Sequence, residues 1–251
     1  MVAVGGDGTV HEVASGLLDL DVDQRRRVRL GVLQNGTGND FVRGAGIPQR
    51  PEDALRLLAT DAASAFDAGL LECAPLSGDG PSVRHWFVNA SDFGIGAEVV
   101  AKVESGRGLL GAKSAYLWQT LRTLVTWRNP EVEMRLDDGA WESHRIKSVA
   151  VCNQPWFGAG MCAAPDARPD DGVLAVTVFG DLGRIEAMRR LGETYRGTYV
   201  EHPRIAYRSC RTLEARASRR VRIETDGEIA GCLPARYSVQ PAALRVVTPR
   251  R

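Results

Sequence analysis

Gly5-Gly6-Asp7-Gly8-Thr9 and Asn35-Gly36-Thr37-Gly38-Asn39-Asp40 are the two segments whose composition suits them to hold an anion. Glycine lets the backbone approach a ligand and turn its amides inward, and each segment runs into a helical pattern whose N-terminus favours negative charge. Phosphate is the natural ligand. Taken alone, the first loop also fits a tight strand-to-helix turn that uses glycine for geometry only. Asp7 points toward chemistry: a carboxylate among phosphates repels them unless a cation lies between. It is therefore a candidate direct or water-mediated ligand of magnesium, with helix capping the plainer alternative. Thr37 and Asn39 add a hydroxyl and an amide on the second loop. Near the C-terminus, Thr225-Asp226-Gly227-Glu228 places two carboxylates around a turn. Phosphoryl transfer needs such a group to orient the attacking hydroxyl and take its proton, although a solvated β-turn explains the same residues.

The elements that must carry these residues follow from periodicity. Met1 to Val4 is a short apolar strand entering the first loop, and Val10, Val13, Ala14, Leu17 and Leu18 then recur at helical spacing. Arg29 to Leu33 repeats the strand before the second loop, and Glu52 to Thr60 predicts one more helix. Strands of this kind lie in parallel sheets covered by helices on both faces. From about Phe66 the texture changes to short β-rich runs between Gly, Pro and Asp clusters, ending in Leu244 to Thr248, with helices expected at Ser114 to Trp127 and Arg184 to Tyr195. Tyr116, Leu117, Trp118, Leu121, Leu124, Val125 and Trp127 suit core packing or the lining of an apolar cavity. The segment Ser105 to Lys113, with its glycines, two leucines and two cations, suits a surface loop or a membrane contact.

Composition narrows the classes. Thirty-two basic against 31 acidic residues give a net charge of +1, so no global attraction to nucleic acid or to an anionic membrane is encoded, and any membrane contact is local. The five cysteines are scattered and form no CxxC pair, which argues against a disulfide framework or a thiolate zinc site. No apolar run approaches the ~18 residues of a transmembrane helix, and no signal peptide is legible, so a cytoplasmic protein is expected. His85, His144 and His202 lack ligand-like partners in sequence, and His11 is read as a nucleotide contact or a helix cap without a catalytic role.

The paired loops, with Glu12 after the first and Phe41 closing the second, resemble the motifs of the diacylglycerol kinase catalytic domain. The first motif also occurs in NAD kinases. The second resembles the branch containing bacterial diacylglycerol and lipid kinases and sphingosine kinases. The similarity continues through Phe87-Val88-Asn89-Ala90, Gly94-Ile95-Gly96, Asn153, Gly158-Ala159-Gly160, Ala164-Pro165 and Asp170-Asp171-Gly172-Val173-Leu174. It implies an α/β plus β fold, with a truncated Rossmann-like nucleotide-binding domain over residues 1–65, joined by 242–251, and a larger β-sandwich lipid-substrate domain over 66–241.

By the same resemblance the cofactors are ATP and Mg2+, and the nucleotide contacts are Gly5, Gly6, Asp7, Gly8, Thr9, Gly36, Thr37 and Asn39. Glu228 is implied as general base, Asp226 as its helper and Asp7 as the catalytic metal ligand. A structural magnesium is implied on the Arg168 carbonyl, the Asp171 carboxylate and the Val173 carbonyl. The implied partner is a lipid substrate at the membrane surface. Relatives begin with further strands and an Asn-Pro loop, so the chain reads as starting late, through a misassigned start or as a genuine fragment with an open sheet edge compatible with a homodimer. The alternatives are a catalytically dead lipid- or nucleotide-binding relic and an NAD kinase-like enzyme acting on a soluble substrate.

Overall fold

The computed structural model describes residues 1–105 and 112–249. It opens with β1 (Val2–Gly5), α1 (Asp7–Leu18), the short α2 (Val22–Arg26), β2 (Gly31–Gln34), α3 (Asp40–Ala45) and α4 (Pro51–Leu58). The two strands pair in parallel, Val2 opposite Gly31 through Gly5 opposite Gln34, so both glycine loops leave the same edge. Helix α1 buries Val10, Ala14, Leu17 and Leu18, the apolar stripe that the spacing predicts. The first strand was expected to be covered on both faces, yet only Ala3 is buried while Val2 and Val4 are exposed. The reason is local: α4 is short and sets Leu58 over Gly31 of β2, where a Cβ would stand 2.2 Å from the leucine methyl, leaving β1 uncovered on that side.

The chain continues through β3 (Ser64–Ala74), β4 (Val83–Phe87), β5 (Ala90–Gly94), α5 (Ile95–Ser105), α6 (Ala112–Thr126), β6 (Glu131–Leu136), β7 (Glu142–Arg145) and β8 (Ser148–Cys152). It ends with β9 (Trp156–Phe157), β10 (Met161–Cys162), β11 (Leu174–Phe179), α7 (Arg184–Thr194), β12 (Ile205–Cys210), β13 (Thr212–Arg216), β14 (Arg222–Thr225) and β15 (Glu228–Val246). Eleven of these strands form one curled antiparallel sheet in the order β12-β11-β8-β5-β14-β15-β13-β6-β7, with β3 paired to β15 and β4 to the other side of β3. Strand β15 is long enough to join both parts. Its last residues pair with the start of β3, and Val246 bridges Leu30 next to β2.

Alternation of side chains along the strands separates two environments. Phe93, Ile223, Val149, Val151, Val176 and Tyr237 point into the main core. Their neighbours Asp92, Glu224, Ser148 and Phe179 point the other way, into a cavity roofed by α5, α6 and α7. Helix α5 was not anticipated, because it begins directly at the end of β5 without a separating turn. Its cap comes from the strand itself: the Asp92 carboxylate accepts the Ala97 amide at 3.2 Å.

Candidate functional site

The glycine loops touch each other. A Cβ on Gly36 would stand 2.4 Å from the Gly6 Cα, so neither loop tolerates a side chain at the crossing. Asn35 donates to the Gly5 carbonyl at 2.8 Å, and the Asn39 amide closes its own loop on the Gly36 carbonyl at 2.9 Å, with Asn39 itself left-handed at φ 58. Helices α1 and α3 thus start side by side, at Asp7 and Asp40. Asp7 spans the gap, accepting the Phe41 amide of α3 at 3.0 Å through Oδ1. Its second oxygen lies where a Cβ on Gly38 would be, 2.6 Å away, which explains a glycine there.

Asp40, not singled out from sequence, completes a carboxylate pair. It is buried and accepts the Ala159 amide at 2.8 Å through Oδ2, while its Oδ1 accepts no hydrogen bond and meets only the Arg43 guanidinium, 3.7 Å away. Burial and then the charge of Asp7 raise its pKa to about 6. Two neighbouring carboxylates, one with a buried oxygen that accepts no hydrogen bond and has only a 3.7 Å ion pair to Arg43, form an all-oxygen donor set that suits Mg2+. Among the described residues no group of three or more His, Cys, Asp or Glu side chains is arranged for a metal, so the remaining ligands there would be phosphate and water.

Asp226 is the most heavily bonded of the predicted residues. Held left-handed at φ 48 in the turn from β14 to β15, it accepts the Val88 amide at 2.8 Å and the Asn89 and Ala90 amides at 3.0 Å. His11 of α1 bonds its Oδ2 at 2.9 Å, and the aspartate side chain is fully buried. Burial opposes protonation of His11, but the Asp226 hydrogen bond and the charges of Asp226, Glu228 and Glu12 outweigh it and raise the histidine pKa. The carboxylate therefore ties α1 to the entrance of β5. Glu228 sits two residues on, exposed at the first position of β15 opposite Thr225, and among the described residues its side chain makes no hydrogen bond or ion pair.

A cavity of about 950 Å³ connects these groups to an apolar chamber. At one end it is lined by Asp7, Gly8, Thr37, Gly38, Asp40 and Asp226, and at the other by Ile95, Val99, Val103, Leu124, Phe179 and Leu182. Gly5, Gly6, Thr9, Gly36 and Asn39 do not line it, and neither does Glu228, although the adjacent Asp226 and Gly227 do. Of the residues considered on the Ser114 to Trp127 helix, Leu124 reaches the cavity, whereas Trp118 and Val125 face outward. Tyr116, Leu117 and the Gly106–Gly111 part of the glycine-rich loop lie outside the described residues and side chains.

The predicted structural-metal turn is elsewhere. Arg168, Asp170 and Asp171 are exposed, Asp171 accepts the Val173 amide at 3.1 Å, and Arg168 bonds Asp170. Asp67 of β3, missed in the sequence, latches this turn by accepting the Gly172 and Ala242 amides, each at 2.7 Å. Partial burial, then the charges of Asp67 and Asp170, push the Asp171 pKa up.

Two further carboxylates lie on the cavity floor, Asp92 and Glu224, cross-strand partners on β5 and β14 and both buried. Burial raises Asp92 to about 6, and burial with the charge of Asp92 raises Glu224 well above the usual range. Groups raised on folding stabilise below their unfolded pKa of roughly 4, and that contribution is lost as pH rises through the folded value. The melting temperature of the native chain is therefore expected to fall between about pH 4 and pH 7. Asp92→Asn with Glu224→Gln should flatten this slope in thermal melts across that range; equal slopes would show that the pair does not titrate as placed.

A family model described as the diacylglycerol kinase catalytic domain matches residues 1–71, and one described as the YegS C-terminal NAD kinase beta sandwich-like domain matches residues 89–248. The chain is 27% identical to the "Diacylglycerol kinase" of Bacillus subtilis, over 100% of this chain and 78% of that protein. It is 30% identical to a "Probable lipid kinase YegS-like" of Xanthomonas euvesicatoria, over 99% and 78%, and 31% identical to one of Pseudomonas aeruginosa, over 99% and 76%. Its fold matches a diacylglycerol kinase structure from Bacillus anthracis with a TM-score of 0.70 at 18% identity, covering 99% of this chain and 75% of that one. It also matches yeast NADH kinase with NADH, at 0.52 and 11%, covering 98% and 59%. Loops, cavity and comparisons agree: the chain belongs to the diacylglycerol kinase and YegS-like lipid kinase family, as a kinase-type phosphotransferase.

Proposed function

We propose that this chain transfers the γ-phosphoryl group of ATP, with Mg2+, to a lipid hydroxyl such as that of diacylglycerol or a sphingoid base. The observation that carries the reading is the single cavity that runs from the glycine loops to the apolar chamber under α5, α6 and α7. A phosphate donor at the loops and an acyl chain in the chamber meet near Asp226 and Gly227. The α1 N-terminus and the amides of both loops would hold the nucleotide phosphates, and Asp7 with Asp40 would hold magnesium. When bound, that ion neutralises charge on the transferring group. Asp226 fixes the turn that carries Glu228, and Glu228, unengaged elsewhere, takes the proton from the attacking hydroxyl. At the Asp171 turn, the Arg168 and Val173 carbonyls with the Asp171 carboxylate would hold a structural magnesium; crowding by Asp67 and Asp170 supports a cation there.

Glu228→Gln tests the assignment of the base. General-base loss typically costs about 10²–10⁴ in turnover, and because the side chain is exposed, folding and nucleotide affinity should be unaffected. Steady-state turnover on diacylglycerol in mixed micelles, with nucleotide affinity by calorimetry, separates the two effects. Native-like turnover in Glu228→Gln would remove it from the chemistry.

A further inference from the structure

The phosphate loops and the turn that carries Glu228 are joined through a histidine. His11 follows Asp7 by one helical turn, so the two side chains share a face of α1, the helix that starts at the first glycine loop. Its Nδ1 lies 2.9 Å from the Asp226 Oδ2, across 215 positions of sequence. Among the described residues this is the only side-chain hydrogen bond between α1 and the turn from β14 to β15, and His11 is the only basic side chain paired with Asp226. The aspartate side chain is fully buried and that of the histidine 12% exposed, so solvent screens the pair little. Asp226 and Gly227 line the cavity and His11 does not, so the ring acts on bound groups only through the turn.

The surroundings favour the imidazolium. Burial opposes it, but the hydrogen bond and charge of Asp226, with the charges of Glu228 on β15 and Glu12 on α1, outweigh burial. The elements packed on α1 are β1, β4, β15 and α3. Strand β1 carries no titratable side chain, and on α3 Asp40 and Arg43 face each other beside Asp7. Strand β4 brings His85, whose pKa is pushed down by burial first and by the charge of His11. His85 therefore favours its neutral form and leaves Asp226 to His11.

We propose that His11 is a positioning residue for phosphoryl transfer: as an imidazolium it clamps the Asp226-Gly227-Glu228 turn onto the helix of the phosphate loop, fixing the proton acceptor against the phosphoryl donor. This rests on the kinase reading and on Glu228 as base, but the clamp can be observed without catalysis. Below the folded-state pKa of His11, which lies above the ordinary value of 6.5, the clamp is charged. As pH rises through that folded value, it weakens to a neutral hydrogen bond.

The test is the pH dependence of turnover on diacylglycerol in mixed micelles, at saturating ATP and lipid, for the native chain and His11→Asn, whose amide donates to Asp226 but carries no charge. Native kcat should fall by about tenfold on the alkaline side, the equivalent of one unit of coupling between ring and turn, in step with the His11 titration followed by NMR. His11→Asn should run near the native alkaline rate at every pH, with KM for ATP and lipid unchanged because the ring does not touch the cavity. Hydrogen exchange at the Gly227 and Glu228 amides reads the clamp directly: corrected for intrinsic rates, protection should drop above the His11 midpoint in the native chain and stay level in His11→Asn. A native profile without the alkaline decline, or the same decline in His11→Asn, would overturn the inference, and so would a loss confined to KM. If no chain phosphorylates any lipid yet exchange at the turn follows His11, the clamp stands and the kinase reading fails.

Discussion

Asp226→Asn is expected to cost about 3–5 kcal/mol of stability, the range for removing one partner from a buried charged network. Three main-chain amides and His11 converge on the two oxygens of this aspartate. An asparagine keeps one acceptor and turns an NH2 toward the remaining donors, so at least one buried N–H loses its partner. Against a domain stability of about 5–15 kcal/mol this is a large fraction. The effect should appear as a lower urea midpoint with an unchanged slope, and activity should fall with it because Asp226 and Gly227 wall the cavity. A change under about 1 kcal/mol would mean that the bonds around Asp226 carry little energy and that its role is chemical rather than positional.

Asp40→Asn should do the opposite, leaving the fold intact while removing activity. The amide oxygen still accepts from Ala159, and the variant no longer buries a carboxylate beside Asp7, so stability should hold or rise. Turnover should fall by about 10²–10³, the scale of losing one charged ligand to a phosphoryl-bound metal, and raising magnesium should recover little of it. Asp7→Asn should behave alike in activity, with a smaller change in stability because Asp7 is only half-buried. Magnesium titrations of nucleotide binding check both variants. If Asp40→Asn keeps full turnover at native magnesium dependence, the carboxylate pair is a helix-start arrangement and not a metal site.

Much of the fold was legible because both loops follow apolar strands and precede periodic helices. The helix predicted from Arg184 to Tyr195 forms over Arg184–Thr194, and the strand Glu131 to Leu136 forms as read. What the sequence concealed were relations between distant segments. Asp40 looks like a helix start until Asp7 is seen beside it, and Asp67 reads as one strand residue until it captures the turn at Gly172. Asp92 and Glu224 become a pair only through the β5–β14 register, since period-2 alternation turns both toward one face. Trp118 and Val125 suited the core by residue type, yet they lie on the outer stripe of α6. The available signal was their spacing with Arg122, which one face of a helix must share.

The most direct test of the central claim is transfer from γ-labelled ATP in the presence of Mg2+ to a panel presented side by side. The panel holds diacylglycerol and a sphingoid base in mixed micelles, a short soluble diol, and NAD. The cavity predicts label in a long-chain lipid, weak or no label in the diol, and none in NAD. Label in NAD would contradict the lipid reading in favour of a soluble-substrate kinase, and a folded, nucleotide-binding chain that labels nothing would contradict the proposed catalysis itself.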